Sequence, residues 1–332
     1  MLKTIAAAAA FTLAAAFTTL TATTALAQEV TLRLAHVAPP QTTYQQAAER
    51  FKAALEDVSG GTMSVEIIPG GVLGDLGQLW VQTRTGALDL HMIDLAAVIA
   101  MKEARPFLVM WTPFLFEDQE HLHRFVESET FKSMMGDVEE QTGVRYMGYL
   151  GDRPPRALTT ASKPVKTPAD LAGLKIRTPE HPMIIGAFKA WGANPTPIKA
   201  SELFTALKTG LVDGQDNGII DAVGAGYMDA QKYYMDLDYI HSGLGLWMSP
   251  QRFESLSEEQ RGFVREAARR AGEEGIKLHP GEMEAAYAKL KDTDSERVEV
   301  DRAAFEGARE GIVKNMEGKM WSEGLVEEIG KM

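Results

Sequence analysis

Cysteine is absent from all 332 residues, which excludes disulfide bridges, thiol catalysis, zinc–thiolate centres and a lipid anchor on an amino-terminal cysteine. Long apolar runs are missing as well. Beyond the amino-terminal segment no stretch reaches roughly 18 uninterrupted apolar residues, so no membrane span is expected. Positive charge is scarce: 34 Lys and Arg face 46 Asp and Glu, a formal net charge of -12. Such a balance argues against nucleic acid or an anionic membrane surface as partner. Enzyme signatures are lacking too, with no G-x-S-x-G, no H-E-x-x-H and no P-loop. Gly224-Ala225-Gly226 and Gly243-Leu244-Gly245 each begin like a dinucleotide loop but lack the third glycine, and read as ordinary turns.

What is present begins with an export signal. Lys3 supplies a positive start, Ile5 to Leu20 is alanine-rich and apolar, and Ala25-Leu26-Ala27 is the small-residue pattern before a cleavage site. Residues 1–27 are therefore expected to be a signal peptide cleaved near Ala27, giving a periplasmic protein. Loss of Lys3 leaves 33 basic against 46 acidic residues, a balance of -13. About 305 residues remain, more than one core usually serves, so two domains are expected.

The periodicity after that point is α/β. Val30 to His36 alternates as a strand, and Tyr44 to Val58 spaces Ala47, Ala48, Phe51, Ala54, Leu55 and Val58 as one helix face before Gly60-Gly61. Met63 to Ile68 is a second strand, Asp75 to Thr85 a helix stopped by Gly86, and Leu88 to Ile93 a third strand. Strand, helix, strand, helix, strand is the order of a parallel sheet with crossovers. The order then restarts: Thr167-Pro168-Ala169-Asp170 is a helix start, Leu174 to Arg177 a strand, Pro182 to Trp191 a helix, and Ser201 is placed to cap a helix from Glu202 to Lys208. Ser257 with Gln260 starts a further helix, and from Gly281 to Met332 the chain is charged and mostly helical.

Few side chains invite a chemical role. His121 and His123 stand beside Glu117, Asp118 and Glu120, but residues two apart on a helix point to different sides and cannot close on one metal. The stretch GLKIRTPE is odder: Arg177 ends an apolar strand, where a core residue would be expected. A guanidinium is always charged and its planar fork matches a carboxylate, and strand carboxyl ends are where ligands bind in open α/β sheets. Spacing alone also allows an internal partner such as Glu180 or Asp216.

Four stretches together resemble the periplasmic substrate-binding proteins of tripartite ATP-independent (TRAP) transporters. They are LRLAHVAPPQTTYQQAAERF, IIPGGVLGDLGQL with TGALDL, PFLFEDQEH, and the long block from Pro164 to Asn217 carrying PVKTPADLAGLKIRTPE, GANPTP and SELFTALKTGLVDGQDN. The resemblance implies a two-lobed α/β fold, each lobe a mainly parallel sheet flanked by helices, with a ligand cleft at a hinge. Lobe I would comprise residues 28–153 and about 243–282, and lobe II residues 154–242 and about 283–332. It implies a receptor, not an enzyme, that closes on a small organic acid and delivers it to integral permease subunits. No cofactor, metal or nucleic acid is called for, and a monomer is expected. In the family the arginine of the K-I-R motif pairs with the ligand carboxylate, which points to Arg177; Asn217 matches a polar contact to the same group. Arg156 matches a second pocket arginine, with Arg153 nearby as the other choice. Gln78, Asp94, His36, Tyr44 and His241 complete the implied ligand site. Gln78 stands where many members carry glutamate, Asp94 where a small polar residue is common, and Gly218 where proline often follows the motif asparagine. The Tyr233 to Met248 segment is expected to face the ligand's far end.

Two other readings stay open at this level. Asp94 could serve as counter-charge to a zwitterion or amine, its bland alternative being a turn cap. A secreted hydrolase or isomerase would have to use His241, Asp94 or Glu180.

Overall fold

The computed structural model describes residues 30–98 and 101–332, so the signal-like segment and its cleavage site lie outside the described residues. The chain opens with β1 (Val30–Ala35), α1 (Thr43–Val58), β2 (Met63–Ile68), α2 (Leu76–Thr85) and β3 (Leu90–Asp94). Ala47, Ala48, Phe51 and Leu55 of α1 are buried against β1 and β2, as their spacing requires. Asp75 and Gln78 form a capping box at the start of α2, and Gly86 ends it in the left-handed region at φ 82°. A ten-residue 3-10 segment, Lys102–Trp111, follows. Then come α3 (Gln119–Glu127), α4 (Glu129–Thr142) and β4 (Arg145–Arg153).

Beyond Arg153 the chain enters a second layer: β5 (Leu158–Thr160), β6 (Lys175–Thr178), α5 (Pro182–Ala190), β7 (Asn194–Pro197), α6 (Leu203–Lys208), β8 (Gly214–Gln215), α7 (Ile219–Gly224) and β9 (Tyr233–Met235). It returns through β10 (Ser242–Met248), α8 (Pro250–Ser255) and α9 (Glu258–Lys291), and finishes with β11 (Glu296–Val298), α10 (Arg302–Glu306), α11 (Arg309–Met316) and α12 (Leu325–Ile329). The Thr167–Asp170 capping box forms, but it starts only a single 3-10 turn, Pro168–Leu171. Ser201 does not cap a helix. It lies inside a 3-10 turn, Ala200–Glu202, and α6 begins behind it with no side-chain cap.

The strands form two sheets, ordered β2-β1-β3-β10-β4 and β11-β9-β5-β8-β6-β7. Each is mainly parallel with one reversed strand. In the first, β10 runs antiparallel to both β3 and β4; in the second, β5 runs antiparallel to β8 and β9. The reversed β10 is buried along its whole length. Helix α9 joins the layers. Its Val264, Ala267, Ala268 and Ala271 pack with α1 and the first sheet, while Ala286 and Leu290 pack with Ile219, Ile220 and Tyr234. The C-terminal helices also touch both: the Trp191 indole donates to the Phe305 carbonyl at 2.9 Å, and His121 Nε2 bonds the Ile329 carbonyl at 2.8 Å. No described helix is long and apolar enough to cross a membrane.

Candidate functional site

Strand pairing brings the chemistry together. Arg177 on β6 stands opposite Thr196 of β7 and Gln215 of β8, so the ends of β6 and β8 deliver Arg177 and the Asp216-Asn217 pair to one place. β4 ends at Arg153, and Pro154-Pro155-Arg156 carries the chain toward β5. Facing them are the β1–α1 loop and the start of α2. Between the two layers lies a cleft of about 640 Å³ lined by Thr42, Tyr44, Gln78, Trp111, Arg153, Arg156, Arg177, Glu180, His181, Lys199, Asn217, Asp221 and Tyr227, among others. That is the size range of a small-molecule site. A second depression of about 570 Å³ lies on the C-terminal helices; its Lys331 and Glu327 are largely exposed and pair with each other.

The cleft's arginines differ sharply in how their charge is balanced. Arg156 is gripped by Asp216, with Nε to Oδ2 and Nη2 to Oδ1 both 2.9 Å, and its guanidinium lies 4.9 Å from the centre of the Trp111 ring. Burial works against its charge, but Asp216 and Tyr239 outweigh burial and raise its pKa above the usual value. Arg153 holds two carboxylates, Asp94 at 2.9 Å and Asp221 at 2.7 Å. Burial is again the largest opposing effect, and Tyr44, Asp221 and Asp94 together push its pKa well up.

Arg177 has no such partner. It is 4% exposed, its Nε donates to the Ile198 carbonyl at 2.9 Å, and among the described residues no carboxylate reaches it. Burial lowers its pKa to about 10; Asp216 and Tyr227 oppose that shift, and Arg156 and Arg153 add to it. The internal pairing of Arg177 with Glu180 or Asp216 is therefore not what the fold adopts, since Asp216 is spent on Arg156. Desolvating a cation without a counter-charge is costly, and the position is poised to accept an anion.

The other predicted residues divide. Tyr44, Gln78, Arg156 and Asn217 line the cleft with Arg177, and so does Arg153, so both candidate arginines reach it. Gln78 Oε1 is engaged by the Asp75 backbone N–H at 2.9 Å. The Asn217 side-chain amide donates to Gln215 Oε1 at 2.7 Å. Three predicted residues lie outside the lining: Asp94, His36 and His241. Asp94 is fully buried; its carboxylate caps the Ala96 N–H at 3.0 Å and pairs with Arg153. It acts as turn cap and as one of the two counter-ions of Arg153, and it does not reach the cleft lining. His36 turns to Gln45 Oε1 at 3.0 Å and is held neutral by burial. His241 faces Gln119 Oε1 at 3.3 Å, with its pKa lowered to about 4, by burial first and Arg302 second.

None of the Tyr233–Met248 residues lines the cleft; most are buried in and between the sheets, with Tyr233, Asp236 and Asp238 partly exposed. Tyr239 contributes indirectly, donating its hydroxyl to Asp216 at 2.5 Å. His241 and Asp94 thus do not converge with Glu180 on the cleft. His121 and His123 also diverge, to the Ile329 carbonyl and to Asp152, and no metal-binding group occurs among the described residues.

Sequence reasoning missed Asp221, Tyr227, Trp111, and Lys199 with its Asp75 partner at 3.0 Å. Asp221 joins the two layers: its Oδ1 accepts the Thr43 N–H at 3.0 Å while Oδ2 meets Arg153. One signal was available, since Asp221 is a lone acid in the otherwise apolar run IIDAVG.

Two mainly parallel sheets meeting around a charged cleft define the class of two-lobed solute receptors. The chain belongs to the bacterial extracellular solute-binding protein family 7, whose profile matches residues 34–319. A solute-binding protein of Roseobacter denitrificans is 30% identical over 304 residues, covering 89% of each chain. Its crystal structure as a TRAP periplasmic solute-binding protein with bound L-galactonate has a TM-score of 0.81 at 29% identity, covering 91% of this chain and 99% of that one. The 2,3-diketo-L-gulonate-binding periplasmic protein of Escherichia coli is 30% identical over 271 residues, 81% of each. A TRAP periplasmic solute-binding protein of Ochrobacterium anthropi with bound L-fuconate reaches a TM-score of 0.83 at 28% identity, covering 91% and 99%. This is a family of TRAP-type solute receptors rather than enzymes.

Proposed function

We propose that the protein is a periplasmic receptor that closes on a small sugar acid or similar carboxylate and delivers it to the integral subunits of a TRAP permease. The observation that carries this reading is the buried Arg177 guanidinium without a carboxylate partner. A ligand carboxylate would supply the missing charge, with Asn217 and Arg156 beside it. The ligands of related proteins, L-galactonate, L-fuconate and 2,3-diketo-L-gulonate, support the same chemical class.

Closure is a bias on an open–closed equilibrium exerted by a ligand that touches both lobes. Lobe I takes residues 28–153 and about 243–282, and lobe II takes 154–242 and about 283–332, a division supported by the membership of the two sheets. Helix α12 then lies across the join, against α3. Residues 1–27 direct export and are removed near Ala27; the mature chain acts as a monomer and binds no nucleic acid. The test is calorimetry and thermal shift of the purified protein against aldonates, uronates and simple amines. A sugar acid that binds with micromolar or better affinity is expected. Stabilisation by ethanolamine-like cations but by none of the acids would overturn the reading.

A further inference from the structure

The charges around the cleft are balanced unevenly from one end to the other. Arg156 is neutralised by Asp216. Arg153 is over-neutralised, one guanidinium against the two carboxylates of Asp94 and Asp221. Lys199, the remaining cation in the lining, is tied to Asp75 at 3.0 Å. Glu180 and Glu202 also line the cleft and form no ion pair among the described residues. Arg177 is thus the one lining cation without a carboxylate among the described residues, and the rest of the wall carries excess negative charge.

We infer that the cleft selects solutes with a single carboxylate and an uncharged, hydroxyl-bearing remainder, and that Asp221 with the rim glutamates rejects a second acid group. The inference rests on the carboxylate-receptor reading and narrows it. A monoanion seats its carboxylate on Arg177 and offers hydroxyl donors to the acceptor-rich wall. A dicarboxylate of the same length puts its second charge against Asp221, Glu180 or Glu202, with no free cation to receive it. Specificity of this kind works by repulsion as well as attraction. Unlike a steric filter, it discriminates by charge between molecules of nearly equal volume.

The experiment compares matched pairs by calorimetry on the full mature protein: L-galactonate against galactarate, D-glucuronate against D-glucarate, and butyrate against succinate. At least one monocarboxylate is expected to bind, with its dicarboxylate counterpart weaker by more than about tenfold. Asp221→Asn retains an acceptor for the Thr43 N–H while removing the charge, and is expected to narrow that gap; Glu180→Gln, on a side chain in no hydrogen bond among the described residues, is the second variant should the first not fold. A dicarboxylate binding within about tenfold of its partner would overturn the inference and leave the carboxylate reading standing. An unchanged ratio in both variants would also overturn it. Failure of every acid to bind would overturn both readings together.

Discussion

Replacing Arg177 with methionine is expected to move ligand affinity and ligand-free stability in opposite directions. In the ligand-free protein the buried guanidinium is a burden. Burial lowers its pKa from the usual guanidinium range to about 10, a shift that corresponds to about 3 kcal/mol of unfavourable energy for the charged form. The sign is fixed by proton binding: the folded pKa lies below the unfolded one, so the group lowers stability throughout the pH range in which it is charged. At neutral pH the residue is charged and the whole penalty is present. Methionine removes it and forfeits the hydrogen bond to the Ile198 carbonyl, which is worth about 1–2 kcal/mol. A net stabilisation of about 1–2 kcal/mol is therefore expected in urea unfolding of the ligand-free variant. With a carboxylate bound, the same change removes one partner of a desolvated charge pair and costs about 3–5 kcal/mol, roughly two to four powers of ten in Kd. Calorimetry with the tightest sugar acid reads the affinity directly. Retention of affinity within about threefold, or a ligand-free variant less stable by more than about 1 kcal/mol, would refute the reasoning.

Asp216→Ala leaves Arg156 buried without its carboxylate and Tyr239 without its acceptor; equilibrium unfolding is expected to show a loss of about 3–5 kcal/mol. An unchanged unfolding midpoint would mean that the pair is not the structural unit described. Acid sensitivity should come from buried imidazoles: His91 and His181 have pKa values near 3 and His241 near 4, each lowered mainly by burial. Below about pH 6.5 the unfolded chain takes up these protons and the native chain does not, so each histidine lowers stability by up to about 1.4 kcal/mol per pH unit. His123 has the opposite sign: its bond to Asp152 raises its pKa, so its contribution is present below the unfolded value and fades as pH rises through the folded one. His91→Phe should flatten the urea-stability profile between pH 6 and about 4, and a profile of unchanged slope would contradict the assignment. Finally, a Cβ at Gly224 would stand 1.9 Å from the Gln41 carbonyl oxygen, across the junction of α7 with the β1–α1 loop. Gly224→Ala should force these two backbones apart and lower the melting temperature of the protein by several degrees; an unchanged melting temperature would contradict the close approach.

The regular βα units were readable because their signals are local. Alternation in Val30–Ala35, one apolar face in α1 and glycine stops such as Gly86 each need only a dozen residues of context. β10 was not readable as an interior strand of the first sheet. All its residues are buried, so it shows no alternation, and its pairing partners come from residues 90–94 and 145–153. α9 runs through Pro280, a residue that by itself favours a boundary, because both halves of the helix are pinned by packing on different layers. In the site, Arg177, Arg156, Asn217 and Gln78 sit in recognisable motifs and do reach the cleft. Which carboxylate neutralises which arginine was beyond local pattern, since Asp94, Asp216 and Asp221 are brought to Arg153 and Arg156 across separations of 59 to 68 residues. Asp94, expected as a ligand contact, lies outside the cleft lining and pairs with Arg153: an acid at a strand end looks available until its tertiary partner is known.

Helix α9 makes the molecule a lever as well as a clamp. Its first part is seated tightly on β4, where a Cβ on Gly272 would come within 2.1 Å of the Tyr149 carbonyl oxygen, and its last turns grip the α7 layer through Ala286 and Leu290. Pro280 supplies no N–H, so the Ile276 carbonyl loses its helical donor there. The rod is thereby softest between its two anchorages. From Pro280 to Lys291 the arm is about 17 Å long, so a tilt of about 5° at the proline displaces its tip by about 1.5 Å. An angular change too small to disturb either core is thus enough to make or break a hydrogen bond across the cleft.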